Sequence, residues 1–144
     1  MDIKTVCFLL VEDNDDLAEM ITAGLLAESG VVKTVERVHN GAEAIGYLLA
    51  KGTYKDRLRP HVVLLDLKLD RGEGIALQEV LGAIKTHAEL CTIPLIVLMD
   101  AETPVQKLEA FLYKANSCLI KPMDPGEFHE MMKALANYWG TWNE

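Results

Sequence analysis

The sequence predicts an α/β fold, a doubly wound parallel sheet with helices on both faces. Three observations lead there. Short runs of consecutive apolar residues (Val6–Val11, Val62–Leu65, Leu95–Leu98) are what strands covered on both faces require. Between them lie segments whose apolar residues recur at helical spacing. Strand and helix signals then alternate, five of each, along the 144 residues, and such alternation builds a parallel sheet with right-handed crossovers.

Val6–Val11 is the first strand. A helix carrying Leu17, Met20, Ile21 and Leu25 follows, with candidate caps among Asn14, Asp15 and Asp16, and Gly30 ends it. The β-branched VVKTVERV, 31–38, is the second strand. Asn40 caps a helix with Ile45, Leu48 and Leu49, and KGTYKDRLRPH is a polar loop closed by Pro60. VVLLD, 62–66, is the third strand. Gly72 and Gly74 break the chain before a helix bearing Leu77, Val80, Leu81 and Ile84. Pro94 introduces the fourth strand, LIVLM, and a fourth helix carries Val105, Leu108 and Leu112. SCLI, 117–120, is the fifth strand, ended by Lys121-Pro122, and the last helix shows Phe128, Met131, Leu135 and Trp139.

One domain fits this length, with a core over about 4–138 and a short aromatic tail. A hydrophobic content of 50% excludes a disordered chain. The net charge of −8 argues against direct contact with nucleic acid or anionic membranes. Cys7, Cys91 and Cys118 lack metal-ligand spacing and read as reduced thiols of a cytoplasmic protein. The opening apolar run is too short for a signal peptide or a membrane span.

In sheets of this kind ligands bind at the carboxyl ends of the strands. Glu12 and Asp13 follow the first strand, Asp66 ends the third, Met99 and Asp100 close the fourth, and Lys121 follows the fifth. Helix capping accounts for Asp15 and Asp16, but not for Asp66 at the end of a buried strand. Carboxylates about 5 Å apart repel by roughly 3 kcal/mol at an effective dielectric of 20. A hard divalent cation held by oxygen, most simply Mg²⁺ (or Mn²⁺), relieves this. Lys121 precedes Pro122, where a cis bond has modest cost and would aim the ammonium over the strand edge. Ammonium and cation together suit a phosphoryl group, with Asp66 as the nucleophile.

With LLVEDND, VVLLDLKLDRGEG and CLIKPMD in this order and spacing, the chain resembles the receiver domain of two-component response regulators over nearly its whole length. The resemblance implies a flavodoxin-like (CheY-like) sheet in the order 2-1-3-4-5. It implies that Asp66 accepts phosphate from the phosphohistidine of a sensor histidine kinase. Asp13 and Asp66 would bind Mg²⁺ directly, Glu12 would assist through water, and the backbone carbonyl of Lys68 would complete the ligands. Lys121 would pair with the phosphoryl oxygens. The loop KGTYKDRLRPH, the stretch YKANSCLIKPMD and the ending NYW are most similar to stand-alone receivers paired with phytochrome-type sensor kinases. No output domain is expected. Signalling would then run through a downstream protein, a phosphotransfer partner, or a homodimer built on the fourth helix, fifth strand and fifth helix with Trp139 and Trp142.

Two family positions are altered. Met99 stands where the family carries Thr or Ser, and Cys118 where it carries an aromatic residue. The hydroxyl and ring that normally act together are both missing. Lys68 and Asp100, with Pro122, flank the site and could tune phosphate lifetime. The sequence favours a working phosphoacceptor with a weakened or rewired switch. A scaffold that signals without phosphorylation is the alternative. A small Mg²⁺-dependent phosphohydrolase is a distant third, because Lys68 occupies the position of that class's second acid.

Overall fold

A computed structural model describes residues 5–27, 32–66, 77–88, 90–99 and 117–139, without the side chains of residues 5, 32, 33, 77–81, 99 and 118. Its strands are β1 (Thr5–Val11), β2 (Val32–Val38), β3 (Val62–Asp66), β4 (Leu95–Met99) and β5 (Ser117–Ile120). Its helices are α1 (Asp15–Leu25), α2 (Gly41–Leu48), α3 (Leu77–Thr86) and α4 (Pro125–Asn137). The sheet is parallel throughout, in the order β2-β1-β3-β4-β5, as the resemblance implied. The helix expected around Val105, Leu108 and Leu112, and Gly30, Gly72 and Gly74, lie outside the described residues. No helix among the described residues is long and apolar enough to cross a membrane.

The period of two along each strand divides the apolar runs between two cores. Val6, Phe8 and Leu10 of β1, with Leu64, Ile96 and Leu98, pack under α1 and α4. Leu9 and Val11, with Val63, Leu65, Leu95 and Val97, pack under α2 and α3. Every residue of β3 is buried, including its terminal aspartate. Caps set the helix starts: Asn14 Oδ1 accepts from the Leu17 N–H at 2.8 Å, and Asn40 Oδ1 from the Glu43 N–H at 2.9 Å.

Two helical stripes differ from expectation. Met20 is 40% exposed, because the buried row of α1 runs through Ala18, Ile21 and Leu25 and Met20 flanks it. In α4 the buried row is Phe128, Met132 and Ala136, four residues apart, with Met131, Leu135 and Trp139 half-buried beside it. The 51–61 loop is also more ordered than a polar connection. Arg57 donates to the carbonyls of Tyr47 (2.7 Å) and Leu48 (2.6 Å) at the end of α2. Its guanidinium lies 5.9 Å from the Tyr47 ring centroid. The cation thus caps the last carbonyls of the helix, that of Tyr47 shared with the Ala50 N–H, while Ala50 (φ 55°) and Gly52 (φ 59°) turn the chain out of α2.

Helices α1 and α4 approach most closely at Gly24, where an added Cβ would lie 2.5 Å from the Met132 Cβ and 3.3 Å from the His129 carbonyl oxygen. Substituting Gly24→Ala should therefore force the helices apart and cost about 1–3 kcal/mol, despite alanine's better helix propensity. Urea unfolding should show a lower midpoint at an unchanged slope. An equal or higher midpoint would contradict this packing.

Candidate functional site at the carboxyl edge of the sheet

Among the described residues, the buried charged side chains are Glu12, Asp66 and Lys121, at 1%, 1% and 8% exposure. All three sit at or just beyond the carboxyl ends of strands. Val11 is level with Leu65, so Glu12 emerges beside Asp66. Asp66 is level with Leu98, and Leu98 with Leu119, so Lys121 starts beyond the sheet, two strands away, and reaches back. Its Nζ donates to Asp66 Oδ2 at 3.0 Å. No cis peptide bond occurs among the described residues. The Lys121–Pro122 bond is trans, and the ammonium reaches Asp66 without a cis bond.

The Glu12 carboxyl has less support. Its Oε2 accepts from the Asn14 N–H at 3.2 Å, while its Oε1 is buried with no hydrogen-bond partner among the described residues. Burial raises its pKa first, the neighbouring Asp66 raises it further, and the Asn14 N–H only partly opposes them, so that it is pushed up to about 8. Asp13, next along the turn, is exposed.

The remaining expected residues divide into two groups. Met99 closes β4, level with Ile120, and Cys118 sits in β5 level with Val97; their side chains are outside the description. Lys68, Asp100 and Trp142 lie outside the described residues altogether. Trp139 packs half-buried against the core under α4, its ring edge-on to Tyr138 at 5.3 Å.

One residue at this edge was not singled out from the sequence. Arg37, near the end of β2, donates from Nε (3.0 Å) and Nη2 (2.9 Å) to the backbone carbonyl of Glu12, and pairs through Nη1 with Asp15 at 2.8 Å. A basic residue near the end of one strand, opposite an acidic end of another, was the available signal.

Among the described residues no three His, Cys, Asp or Glu side chains close on one point as a complete metal cage. Mg²⁺ does not need one, since it retains waters and takes one or two carboxylates. The buried Glu12 Oε1 beside Asp66, without a hydrogen-bond partner among the described residues, is an oxygen that a cation would satisfy. The residues present therefore fit a hard divalent ion.

The family model of the response regulator receiver domain matches residues 8–133. Response regulator Rcp1 of Synechocystis sp. is 27% identical over 131 residues, covering 91% of this chain and 86% of that protein. Among solved structures, the phosphorylated cyanobacterial phytochrome response regulator RcpA superposes with a TM-score of 0.85 at 30% identity, covering 98% of this chain and 96% of that one. The Mn²⁺-bound form of Rcp1 superposes with a TM-score of 0.82 at 26% identity, covering 94% and 95%.

The raised pKa of Glu12 has a consequence for stability. A carboxyl that binds its proton more tightly when folded contributes fully below its ordinary value of 4.5, and that contribution is lost as the pH rises towards about 8. The metal-free protein should therefore lose stability across this window, on the order of 1–3 kcal/mol. Glu12→Gln should flatten the decline and raise the melting temperature at pH 8. Identical profiles for wild type and variant would show that Glu12 is not the group responsible.

Proposed function

The chain belongs to the response regulator receiver domain family, and from that membership we propose that it is a phosphoacceptor, taking a phosphoryl group from a sensor histidine kinase on Asp66. The buried Asp66–Lys121 pair with Glu12 beside it carries this reading. The similarity to the cyanobacterial phytochrome response regulator RcpA supports a phytochrome-type kinase as donor.

The chemistry is a phosphoryl transfer between a nitrogen and an oxygen. An Asp66 carboxylate oxygen attacks the phosphorus of the phosphohistidine, and the O–P bond forms as the P–N bond breaks. The electron pair leaves on the imidazole nitrogen, which takes up a proton. Lys121 already faces Asp66 Oδ2, so its ammonium is in place for charge-assisted hydrogen bonds to the new phosphoryl oxygens. A bound Mg²⁺ or Mn²⁺ would neutralise charge on those oxygens. Asp13, Asp66 and the Lys68 carbonyl would hold the ion, with Glu12 assisting through water. Hydrolysis by water returns the carboxylate and inorganic phosphate.

Incubation with phosphoramidate or acetyl phosphate and Mg²⁺ should add the mass of one phosphoryl group. Asp66→Asn or chelation of the metal should abolish the gain. A gain undiminished in Asp66→Asn would remove Asp66 from this role, and no gain in the wild type would favour the scaffold reading.

Met99 bears on what phosphorylation achieves. Its thioether accepts weakly and donates nothing, so a phosphoryl group here lacks a charge-assisted hydrogen bond worth about 1.5–3 kcal/mol. Moving an equilibrium from about 1:99 to 99:1 takes about 5.5 kcal/mol of differential interaction, so the switch is partial. Beryllofluoride should shift amide resonances of β5 around Cys118 only slightly, with larger shifts near Lys68 and Asp100. Shifts through β5 as large as those of a Met99→Thr, Cys118→Tyr double variant would overturn this account.

A further inference from the structure

We propose that Arg37 is a positioning residue, holding the β1–α1 turn so that Glu12 and Asp13 present their carboxyl groups to the cation; this rests on the metal reading above. Two successive residues of β2 grip Glu12 from both sides. The Val38 carbonyl accepts from the Glu12 N–H at 3.0 Å. The Arg37 guanidinium donates twice to the Glu12 carbonyl, at 3.0 and 2.9 Å. The β1–β2 ladder ends with Val11 level with Val38, and Arg37 adds a side-chain rung beyond that end. The peptide linking Glu12 to Asp13 would otherwise turn freely, and with it both carboxyl groups.

The geometry calls for an arginine. Nε and Nη2 lie on one side of a planar fork and converge on a single oxygen, while Nη1 on the other side holds Asp15 at 2.8 Å. A lysine ammonium keeps the charge without the fork. The side chain is only 24% exposed, so water does little to screen these bonds.

Charge and position make opposite demands, which renders the role testable. Arg37 carries positive charge close to a cation site, so as a charge alone it weakens cation binding, and its removal would tighten it. As a positioning group it strengthens binding, and its removal loosens it. Arg37→Lys keeps the charge and loses the fork; Arg37→Met loses both; Asp15→Asn cuts only the outer contact.

The test measures Mn²⁺ affinity by calorimetry, and amide hydrogen exchange in the metal-free protein. Both Arg37 variants should bind Mn²⁺ about tenfold more weakly, as expected when a group supporting a metal ligand is lost. Their Asp13 and Asn14 amides should exchange faster, while core amides such as Leu9 and Leu64 keep wild-type rates. Asp15→Asn should stay within about twofold of wild type. Should Arg37→Met fail to fold, Arg37→Lys decides. Wild-type affinity and exchange in Arg37→Lys, or tighter binding in Arg37→Met, would overturn the role of Arg37 alone. A wild-type protein that binds no Mn²⁺ would overturn the metal reading, and the exchange rates would still decide whether Arg37 fixes the turn.

Discussion

Two carboxyl groups and one ammonium share a site that water hardly reaches, and the rest of the carboxyl edge follows from that imbalance. A buried ion pair with one partner removed costs about 3–5 kcal/mol, which ties Lys121 to Asp66. Glu12 is left over. Its carboxyl responds to burial and to Asp66 by holding its proton up to about pH 8, with one oxygen still unpartnered. On the metal reading, cation and proton compete for this carboxyl, and a divalent ion replaces the proton with more charge than it displaces. Metal binding is then coupled to proton release. The apo site is held in a state that the ion improves, the usual conflict between stability and a functional site.

The fold tolerates this because the charges lie at the edge and the cores beneath are complete. Each strand supplies alternate side chains to two clusters, so the sheet is pinned from both faces. The strand order then decides who meets whom. Strands β1 and β3 are neighbours, which sets Glu12 beside Asp66. Lys121 follows β5, with β4 intervening, and adjacent strands are about 4.8 Å apart. Only a long side chain starting beyond the sheet and folding back covers two such steps.

Much of this was legible in the sequence, for an identifiable reason. Continuous apolar strands, Asn14 and Asn40 as caps, and charged residues at strand ends are local signals, and each was found where expected. The misplaced features depend on contacts distant in sequence. Met20 and Met131 fit helical spacing as well as their neighbours do, and only the mutual rotation of α1 and α4 decides that Ala18 and Met132 face inward. Arg57 looks like part of a solvated loop until its carbonyl partners on α2 are known. Arg37 looks like an outward-facing strand residue until the chain brings Glu12 alongside, 25 residues away in sequence. A side chain that serves another element's backbone leaves no periodic trace.

The same register separates the chemistry of the site from its readout. Asp66 ends β3, Glu12 and Lys121 follow β1 and β5, and all three are buried. The strand between them, β4, ends in Met99, one residue beyond the level of Asp66 and Leu98. The adjoining strand carries Cys118, level with Val97, where the resemblance to receivers implied an aromatic residue. Neither position carries an acid or a base, so on the phosphoacceptor reading they would leave the balance of Glu12, Asp66 and Lys121 intact and would bear only on how the event is passed on. On the phosphoacceptor reading, the acceptor half of the site would therefore be under tighter physical constraint than the relay half: a lost acid or ammonium would unbalance a buried cluster, whereas a methionine at the end of β4 would change only how far the event is transmitted.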